Sequence, residues 1–593
     1  MLLIIALVPL AIAPGLVSAF DITPKIAILL FCESVLLLFC KQLVNSVRSF
    51  YKAASGRLFI GLLALQFLSI LLSTLWSRNP RLSVVGSSWR RDGLIAESSI
   101  LLFALIVAAW SAQDPRRIRV LLRGAVVTGA AASLYGIAQY FGWDPLLPSK
   151  AYQAGEDIFT IVRPPATFGH ADYFANWLVI VAFFALACWD DEWKIVARTT
   201  MALTVIAIVL SGTRSALLGL LAGLLAYLFV ARPRINRKLV LALAAGAACL
   251  ALFYISPAGA KLRARVHWSI DDVRGGARLL LWKDSLRMAM RHPLLGYGPE
   301  TFTAQFPRFE SVELSRAYPD FYHESPHNMF LDALVSQGII GALALSALCI
   351  FALWAARKNA SLTAALIAAI VCQQFMVLTI PTALYFYLLI AIIAAQARQV
   401  TDLPPTRILR WAIIPIATSM IFLFFSTRLL LADRALAIAE YQANSGNVPA
   451  AAAAYRSARY WQPLPGDADL RYSKAMTRLA TSTKVFATSL AAAQQASESA
   501  IYATETFEDR QNACYNYAII AALRNNPGDV EKGLRCAIDF APHWFKPHWT
   551  LSQFLELTGR HAEARAEASI ALNLNGGHDA EVTATSQQIL SRP

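Results

Sequence analysis

The residues of this chain best suited to chemistry are arginines and histidines in polar stretches between apolar ones. The arginines are Arg78, Arg81, Arg90, Arg91, Arg163, Arg214 and Arg278, the last followed by Lys283, Arg287 and Arg291. The histidines are His170, His267, His292, His323 and His327. A guanidinium is a permanent cation whose planar fork grips an anionic oxygen pair with two hydrogen bonds. An imidazole, neutral near pH 7, takes a proton from a hydroxyl or orients it. Together they suit an anionic ligand and a proton in transit. Other chemistries find less support. His323 and His327 have a metal-like spacing, but catalytic zinc takes three protein ligands and no third is apparent, so no metal is expected. Gly296-Tyr297-Gly298 follows a helical stretch rather than a strand, which removes it as a dinucleotide loop. Asp271-Asp272 reads as a solvated loop pair, and no cofactor is expected.

What must position these side chains is a membrane bundle. Of the 593 residues 57% are hydrophobic and 15% charged, against about 45–50% and roughly 25% in soluble domains. No soluble core hides that much apolar surface, and 11% aromatic residues exclude disorder. Residues 1–432 read as a polytopic domain of about 12–13 spans, each a run of roughly 17–25 apolar residues. The first run, over 1–20, lacks a basic leader and reads as a retained helix rather than a signal peptide. Alternate short loops carry Arg48, Lys52 and Arg57, then Arg116, Arg117, Arg119 and Arg123, then Arg232, Arg234 and Arg237, then Arg357 and Lys358, and finally Arg398, Arg407 and Arg410. These mark the cytoplasmic side. The arginines and histidines of the opening paragraph then face outward, against the topology signal, which points to an outward-facing polar site. The expected location is a bacterial inner membrane, with the tail in the periplasm or outside.

The net charge is +15, yet from Asp433 onward the chain carries 15 Lys+Arg against 16 Asp+Glu. The positive excess therefore belongs to the membrane part. Scattered through short loops, it makes nucleic acid a poor partner. Residues 433–593 are Ala-rich with a period of roughly 34 residues, the tetratricopeptide spacing. Leu551, Leu555, Gly559, Ala564, Ala568 and Ala571 form one unit, and Ala518, Ala521, Leu534 and Ala537 fall in the preceding one. Small residues let paired helices approach, and such arrays present a face to a partner protein or simply brace a neighbouring domain. Cys514 and Cys536 in this tail are placed for a disulfide if it faces an oxidising compartment. The longest outer loop, about 257–328, is of a length that is usually functional. Within it Ala277 to Arg291 reads as an amphipathic helix: Leu279, Trp282, Leu286 and Met290 make a stripe, while Lys283, Arg287 and Arg291 align at i, i+4, i+8. Such a helix suits a bilayer surface with anionic headgroups.

Several segments, taken in order, resemble the O-antigen ligase and polymerase superfamily. They are Arg163-Pro164-Pro165-Ala166-Thr167-Phe168-Gly169-His170, Ser211-Gly212-Thr213-Arg214-Ser215, Arg278-Leu279-Leu280-Leu281-Trp282 and His292-Pro293-Leu294-Leu295-Gly296-Tyr297-Gly298-Pro299-Glu300. His327-Asn328 with Gly338-Ile339-Ile340-Gly341 follows, and Ser77–Glu97 with Arg90-Arg91-Asp92-Gly93 resembles members bearing tetratricopeptide tails. The family's usual Asn-Pro-Asn is here His170-Ala171-Asp172. The resemblance covers about residues 60–355. It implies an all-α glycosyltransferase that takes a saccharide from undecaprenyl diphosphate to an outward-facing acceptor, inverting and metal-independent. The acceptor it implies is a lipid A core, a growing glycan or a protein hydroxyl. The family's two essential arginines and one histidine fall on Arg214, Arg278 and His327. Arg163, Arg90, Arg91, His323, Lys283, Arg287 and Arg291 are the candidates for holding substrate.

Two other classes compete. A flippase or transporter of the same lipid should place ionisable groups at the bilayer midplane, often at broken helices, whereas these spans are almost free of charge. A membrane-anchored scaffold built on the tail leaves the outer arginines without a reason.

Overall fold

The computed structural model describes residues 1–147, 152–154, 161–233, 237–271, 276–397, 413–462, 468–506 and 508–592. The membrane part runs α1 (Leu2–Leu10), α2 (Thr23–Leu37), α3 (Cys40–Tyr51), α4 (Ala54–Leu75), α5 (Pro80–Val85), α6 (Leu94–Ser111) and α7 (Pro115–Tyr140). It continues with α8 (Ala171–Ala187), α9 (Lys194–Ser211), α10 (Arg214–Ala231), α11 (Arg237–Ile255), α12 (Ala260–Asp271) and α13 (Arg278–Ala289). Next come α14 (Phe302–Gln305), α15 (Val312–Ala317), α16 (Met329–Ala356), α17 (Ala360–Cys372) and α18 (Ile380–Gln396). The long α19 (Ile413–Asn444) leads into the tail helices α20 (Val448–Trp461), α21 (Ala468–Ser482), α22 (Phe486–Thr504), α23 (Arg510–Leu523), α24 (Pro527–Phe540), α25 (Phe545–Leu557), α26 (His561–Asn575) and α27 (Ala580–Ser591). The only strands among the described residues are two short ones, Gln153–Ala154 paired with Ile161–Val162.

Seven of the described helices are long and apolar enough to cross a bilayer, or nine if two bent pairs each count as one span. The shorter α8, α17 and α18 are apolar too. In α18 every residue from Ile380 to Ala395 is buried, and in α8 nearly all are. A helix apolar on all sides belongs at the centre of a bundle, which is where these two lie. The run over 1–20 departs from its expected form. Only Leu2–Leu10 is helical, and a helix of this length rises about 14 Å, half a bilayer core. Pro14-Gly15 ends the periodic stretch, and the carbonyl of Pro9 instead accepts Lys25 Nζ (2.6 Å) and Thr167 Oγ1 (2.7 Å). The short helix is thus an anchor for the 163–170 segment.

Loops segregate to two ends. Arg123 pairs with Asp191 (2.6 Å) and Asn359 meets Gln396 at the end that carries the alternate basic loops. Arg398, Arg407, Arg410 and Arg234 lie outside the described residues, as does Asp272 of the acidic pair. The opposite end gathers residues 77–93, 161–170, 256–271 and 276–328, with the tail packed on them.

Helix α16 is broken at its second turn pair. Gly338 takes φ 68° and ψ −166°, a conformation open only to glycine, and the carbonyls ahead of it lose their helical partners. The loop after α13 replaces those partners. Tyr297 N donates to Val335 O (2.9 Å), Gly298 N to Ser336 O (2.9 Å), and Ile339 N to Pro293 O (2.8 Å). Ser73 Oγ adds a bond to Ser336 O (2.5 Å). A Cβ on Gly338 would stand 2.2 Å from Leu294 O, and one on Gly296 2.5 Å from Val335 O. The two glycine-rich motifs of the sequence are therefore the two halves of one interlock.

The boundary expected at 432/433 falls inside α19, which runs without interruption from the membrane part into the tail. The tail folds as consecutive antiparallel helix pairs, α21 on α22, α23 on α24 and α25 on α26. Its cores are the small positions of the period: Ala518, Ala521, Leu534, Leu551, Leu555, Ala564 and Ala568 are all buried. Cys514 of α23 and Cys536 of α24 form a disulfide.

Candidate active site

Four helices begin at one place on the loop-bearing end. Helix α8 starts after His170, α10 after Thr213, α13 at Arg278 and α16 after Asn328. The positive end of the helix dipole makes each such start favourable to an anion. The residues at these starts then add the charge.

Asp172 is the hub. It pairs with Arg163 and accepts Thr213 Oγ1 (2.8 Å), tying the 163–170 segment and α8 to the start of α10. Upstream, Ala166 N donates to Gln139 Oε1 (2.8 Å), so the segment is held at both ends. Arg265 of α12 lies within electrostatic reach of the same carboxylate. Its Nε donates to Gly212 O (3.3 Å), and it is buried. Gly212 has φ +61°, and a Cβ there would stand 2.5 Å from Arg265 Cγ, so the glycine is what admits the arginine. Trp268 carries both neighbouring guanidiniums on its ring, Arg265 at 4.2 Å and Arg214 at 5.7 Å. Cation–π contact of this kind orients a guanidinium without neutralising it.

His327 closes the site. It has φ 51°, left-handed for a residue with a side chain, and three contacts hold it so. Trp282 Nε1 donates to Pro326 O (2.9 Å), Asn328 Oδ1 caps α16 through Phe330 N and Leu331 N (both 3.1 Å), and Met329 N donates to Gln373 O (2.9 Å). Its Nδ1 faces Ser325 Oγ at 3.5 Å, leaving Nε2 as the nitrogen for a reacting partner. Burial first, and the Arg278 charge second, push its pKa down to about 4, so the ring is neutral at pH 7. His170 and Asp172 are also within electrostatic reach of it.

The structure therefore brings together Arg163, Arg214, Arg278 and His327, and adds Arg265, Asp172 and Trp268, which sequence reasoning passed over. Asp172 was visible only as the departure His170-Ala171-Asp172 from the family's pattern. Arg265 carried no signal beyond its outer-loop position. The other expected ligand-holding residues sit elsewhere. Arg90 is buried, with Nε on Glu300 (2.7 Å) and Nη1 on Asp332 (2.9 Å), and brackets the 77–93 loop to α16. Arg91 donates to Gly86 O (3.1 Å) and lines a separate cavity against the tail. His323 is buried between Phe306 and Phe321, 3.8 Å from Glu310. Burial pushes its pKa down to about 4 and that of Glu310 up to about 8.

Helix α13 also differs in detail. Lys283 pairs with Glu313 (2.9 Å) and Arg287 with Asp284 (2.9 Å), while Arg291 lines a shallow cavity with Arg78 and His292. The face turned to protein is Leu281, Ser285 and Met288. Of the expected apolar stripe, Leu279, Leu286 and Met290 are exposed, as a helix lying on a bilayer surface requires. No group of three His, Cys, Asp or Glu side chains suited to a metal occurs among the described residues.

Residues 199–346 match the O-antigen ligase family. That stretch holds Arg214, Arg265, Arg278 and His327. Over 306 residues the chain is 25% identical to the exopolysaccharide production protein ExoQ of Rhizobium meliloti (strain 1021), covering 49% of this chain and 63% of that protein. The match thus spans less than two thirds of the relative's own length. The chain is an O-antigen ligase-like membrane protein of several spanning helices.

Proposed function

We propose that this protein transfers a saccharide from undecaprenyl diphosphate to the hydroxyl of an acceptor at the outer face of a bacterial inner membrane. The observation that carries this reading is the cluster of Arg163, Arg214, Arg265 and Arg278 at four converging helix starts, with the neutral imidazole of His327 among them. The planar forks of these guanidiniums suit the paired anionic oxygens of a diphosphate, which a sugar hydroxyl does not offer.

The chemistry follows from the charges. The acceptor oxygen attacks the anomeric carbon on the face opposite the diphosphate, the C–O bond to the phosphate breaks with its electron pair, and the configuration inverts. Charge growing on the leaving oxygen is met by Arg214 and Arg278. The proton released by the acceptor passes to His327 Nε2. A ring with pKa about 4 is a weak base, held down first by burial and second by the Arg278 charge. A bound diphosphate offsets the Arg278 charge and raises the basicity of His327 when the substrate arrives. Of the acceptors considered, a growing glycan accords best with the exopolysaccharide production named for the relative.

The test uses the purified full chain in nanodiscs with an undecaprenyl-diphosphate oligosaccharide, following release of undecaprenyl diphosphate with candidate acceptors. Arg214→Ala, Arg278→Ala and His327→Ala should each lower turnover by about 10²–10⁴. Equal rates in all three variants would remove these residues from the reaction. A folded protein that binds the lipid and never cleaves it would return the reading to a transporter.

A further inference from the structure

A cavity of about 630 Å³ lies not at the arginine cluster but beside it, walled on one side by the tail. Its floor is Phe20, Asp21, Trp89, Arg91 and Tyr322, and its far wall comes from α19, α20, α21 and the 508–509 turn. Two seams close it. Arg434 donates to Gly15 O (2.8 Å) and Ser18 N to Asp433 (3.3 Å) along one edge. Ser88 N and Oγ both donate to Glu508 Oε1 (2.6 and 2.8 Å) along the other. Further contacts carry the tail across the same face: Lys546 pairs with Asp320, Trp544 Nε1 donates to Asp320 (3.0 Å), and Arg316 Nε donates to Asn573 Oδ1 (2.7 Å). The tail is therefore an arch fixed at both feet, and the chamber lies under it.

The charge of this chamber is opposite to that of the cluster. Asp21, Asp433, Glu508 and Asp509 face it against Arg91 and Arg471. A diphosphate is repelled there, as is any other polyanion. Aromatic faces from Phe20, Trp89 and Tyr322 beside carboxylates and guanidiniums offer what a sugar has two sides to use: apolar C–H faces for the rings, and hydroxyls for the charged acceptors and donors. The volume falls within the roughly 300–1,000 Å³ of small-ligand pockets, which suits a chain end of a few sugar units rather than a folded protein. The chamber also touches the cluster. Gly169 and Pro165 line it, and Gly169 directly precedes His170. Tyr173, its ring tilted against that of His170 at 5.1 Å, lies within electrostatic reach of both Asp21 on the chamber side and Asp172 on the cluster side.

We infer that the chamber is the acceptor subsite, taking the uncharged end of an oligosaccharide chain, and that the tail acts in the reaction as its wall. This rests on the transferase reading above. The arrangement divides the work by charge, with the donor's diphosphate on the arginines and the acceptor's hydroxyls under the arch.

The test separates the two readings. The probe is the neutral oligosaccharide fraction released by partial acid hydrolysis of the producing cells' own surface polysaccharide, offered free and also as its undecaprenyl-diphosphate-linked form. Binding of the free probe to the full chain in nanodiscs is measured by calorimetry without donor, and acceptor dependence is measured by undecaprenyl diphosphate release. Tyr322→Ala and Arg471→Gln should weaken binding and raise acceptor KM by about tenfold while donor KM and kcat stay within about twofold. Trp89→Ala should do the same, and since Arg90 stacks on that ring at 5.0 Å, Tyr322→Ala is the control that leaves the bracket intact. Wild-type turnover with unchanged acceptor KM in all three variants would overturn the chamber and leave the transferase standing. Binding of the probe with no transfer to any acceptor would overturn the transferase and keep the chamber as a saccharide site. No binding of either form of the probe would overturn the chamber. A response to the linked form alone would overturn it as well, since the lipid diphosphate would then be what is recognised.

Discussion

Gly338→Ala isolates the interlock that closes the break in α16. The residue sits at φ 68°, ψ −166°, where a side chain costs about 1–3 kcal/mol in backbone strain. The new Cβ would also meet backbone rather than a pliable side chain, 2.2 Å from Leu294 O and 2.6 Å from Leu295 N. Relief requires the 293–298 segment to withdraw, which breaks the bonds Tyr297 N to Val335 O, Gly298 N to Ser336 O and Ile339 N to Pro293 O. Each is worth about 1 kcal/mol net, and more where the freed group stays buried. Strain and the three lost bonds together come to roughly 4–6 kcal/mol. The assay is hydrogen–deuterium exchange on the full chain in nanodiscs. Protection of the amides of Tyr297, Gly298 and Ile339 should fall by at least about 100-fold, since 1.4 kcal/mol is one decade. Gly61→Ala supplies the contrast: that glycine is inside α4 with nothing within 4 Å of a Cβ, so alanine should be neutral or stabilise by up to about 1 kcal/mol. If Gly338→Ala left the three amides as protected as in the wild type, the interlock would not be what closes the break in α16.

Arg90→Met should destabilise by about 3–5 kcal/mol, because it strands buried Glu300 and leaves half-buried Asp332 without its partner, whereas Arg90→Met with Glu300→Gln should recover much of the loss; thermal unfolding in detergent measures both. His323 and His327 are held neutral with pKa values near 4, so the unfolded chain binds more protons between about pH 6.5 and 4, and stability should fall as pH drops through that window. Glu310 is shifted the other way, to about 8, so its contribution is lost as pH rises from about 4.5 to 8; His323→Gln should flatten the acid limb and Glu310→Gln the alkaline one, and unfolding midpoints measured across pH would show equal slopes if the burial argument were wrong. Arg265→Lys should cut transfer well below wild type while donor binding weakens less, because an ammonium can neither bridge Gly212 O and the ligand nor stack on Trp268. Lys283→Ala, removing only an exposed pair with Glu313, should change stability by less than about 1 kcal/mol.

The class of this protein was legible in its amino-acid sequence because the bilayer imposes a one-dimensional signal. Apolar runs must be long, and basic residues must collect in alternate loops, so the bundle, its two-sidedness and the small-residue period of the tail can be read by counting. Motif order put forward Arg214, Arg278 and His327 as a candidate set, and they lie at three of the converging helix starts. What counting did not reveal is which charges meet. Arg90 and Arg163 look alike in sequence, yet one is enclosed by Glu300 and Asp332 while the other joins Asp172 at the helix starts. Lys283 and Arg287 share a helical face with Arg291, but Glu313 of α15 takes up the charge of the first and Asp284 of the same helix that of the second. Arg265 and Asp172 entered the site only because α12 bends back and Gly212 leaves room for a guanidinium. Gly296 and Gly338 are 42 positions apart, and nothing local tells that one supplies backbone to mend the helix broken at the other. Burial and hydrophobic period are properties of a segment, and so survive in one dimension. Charge pairing and backbone repair are properties of pairs of segments, and only the tertiary structure chooses the pairs.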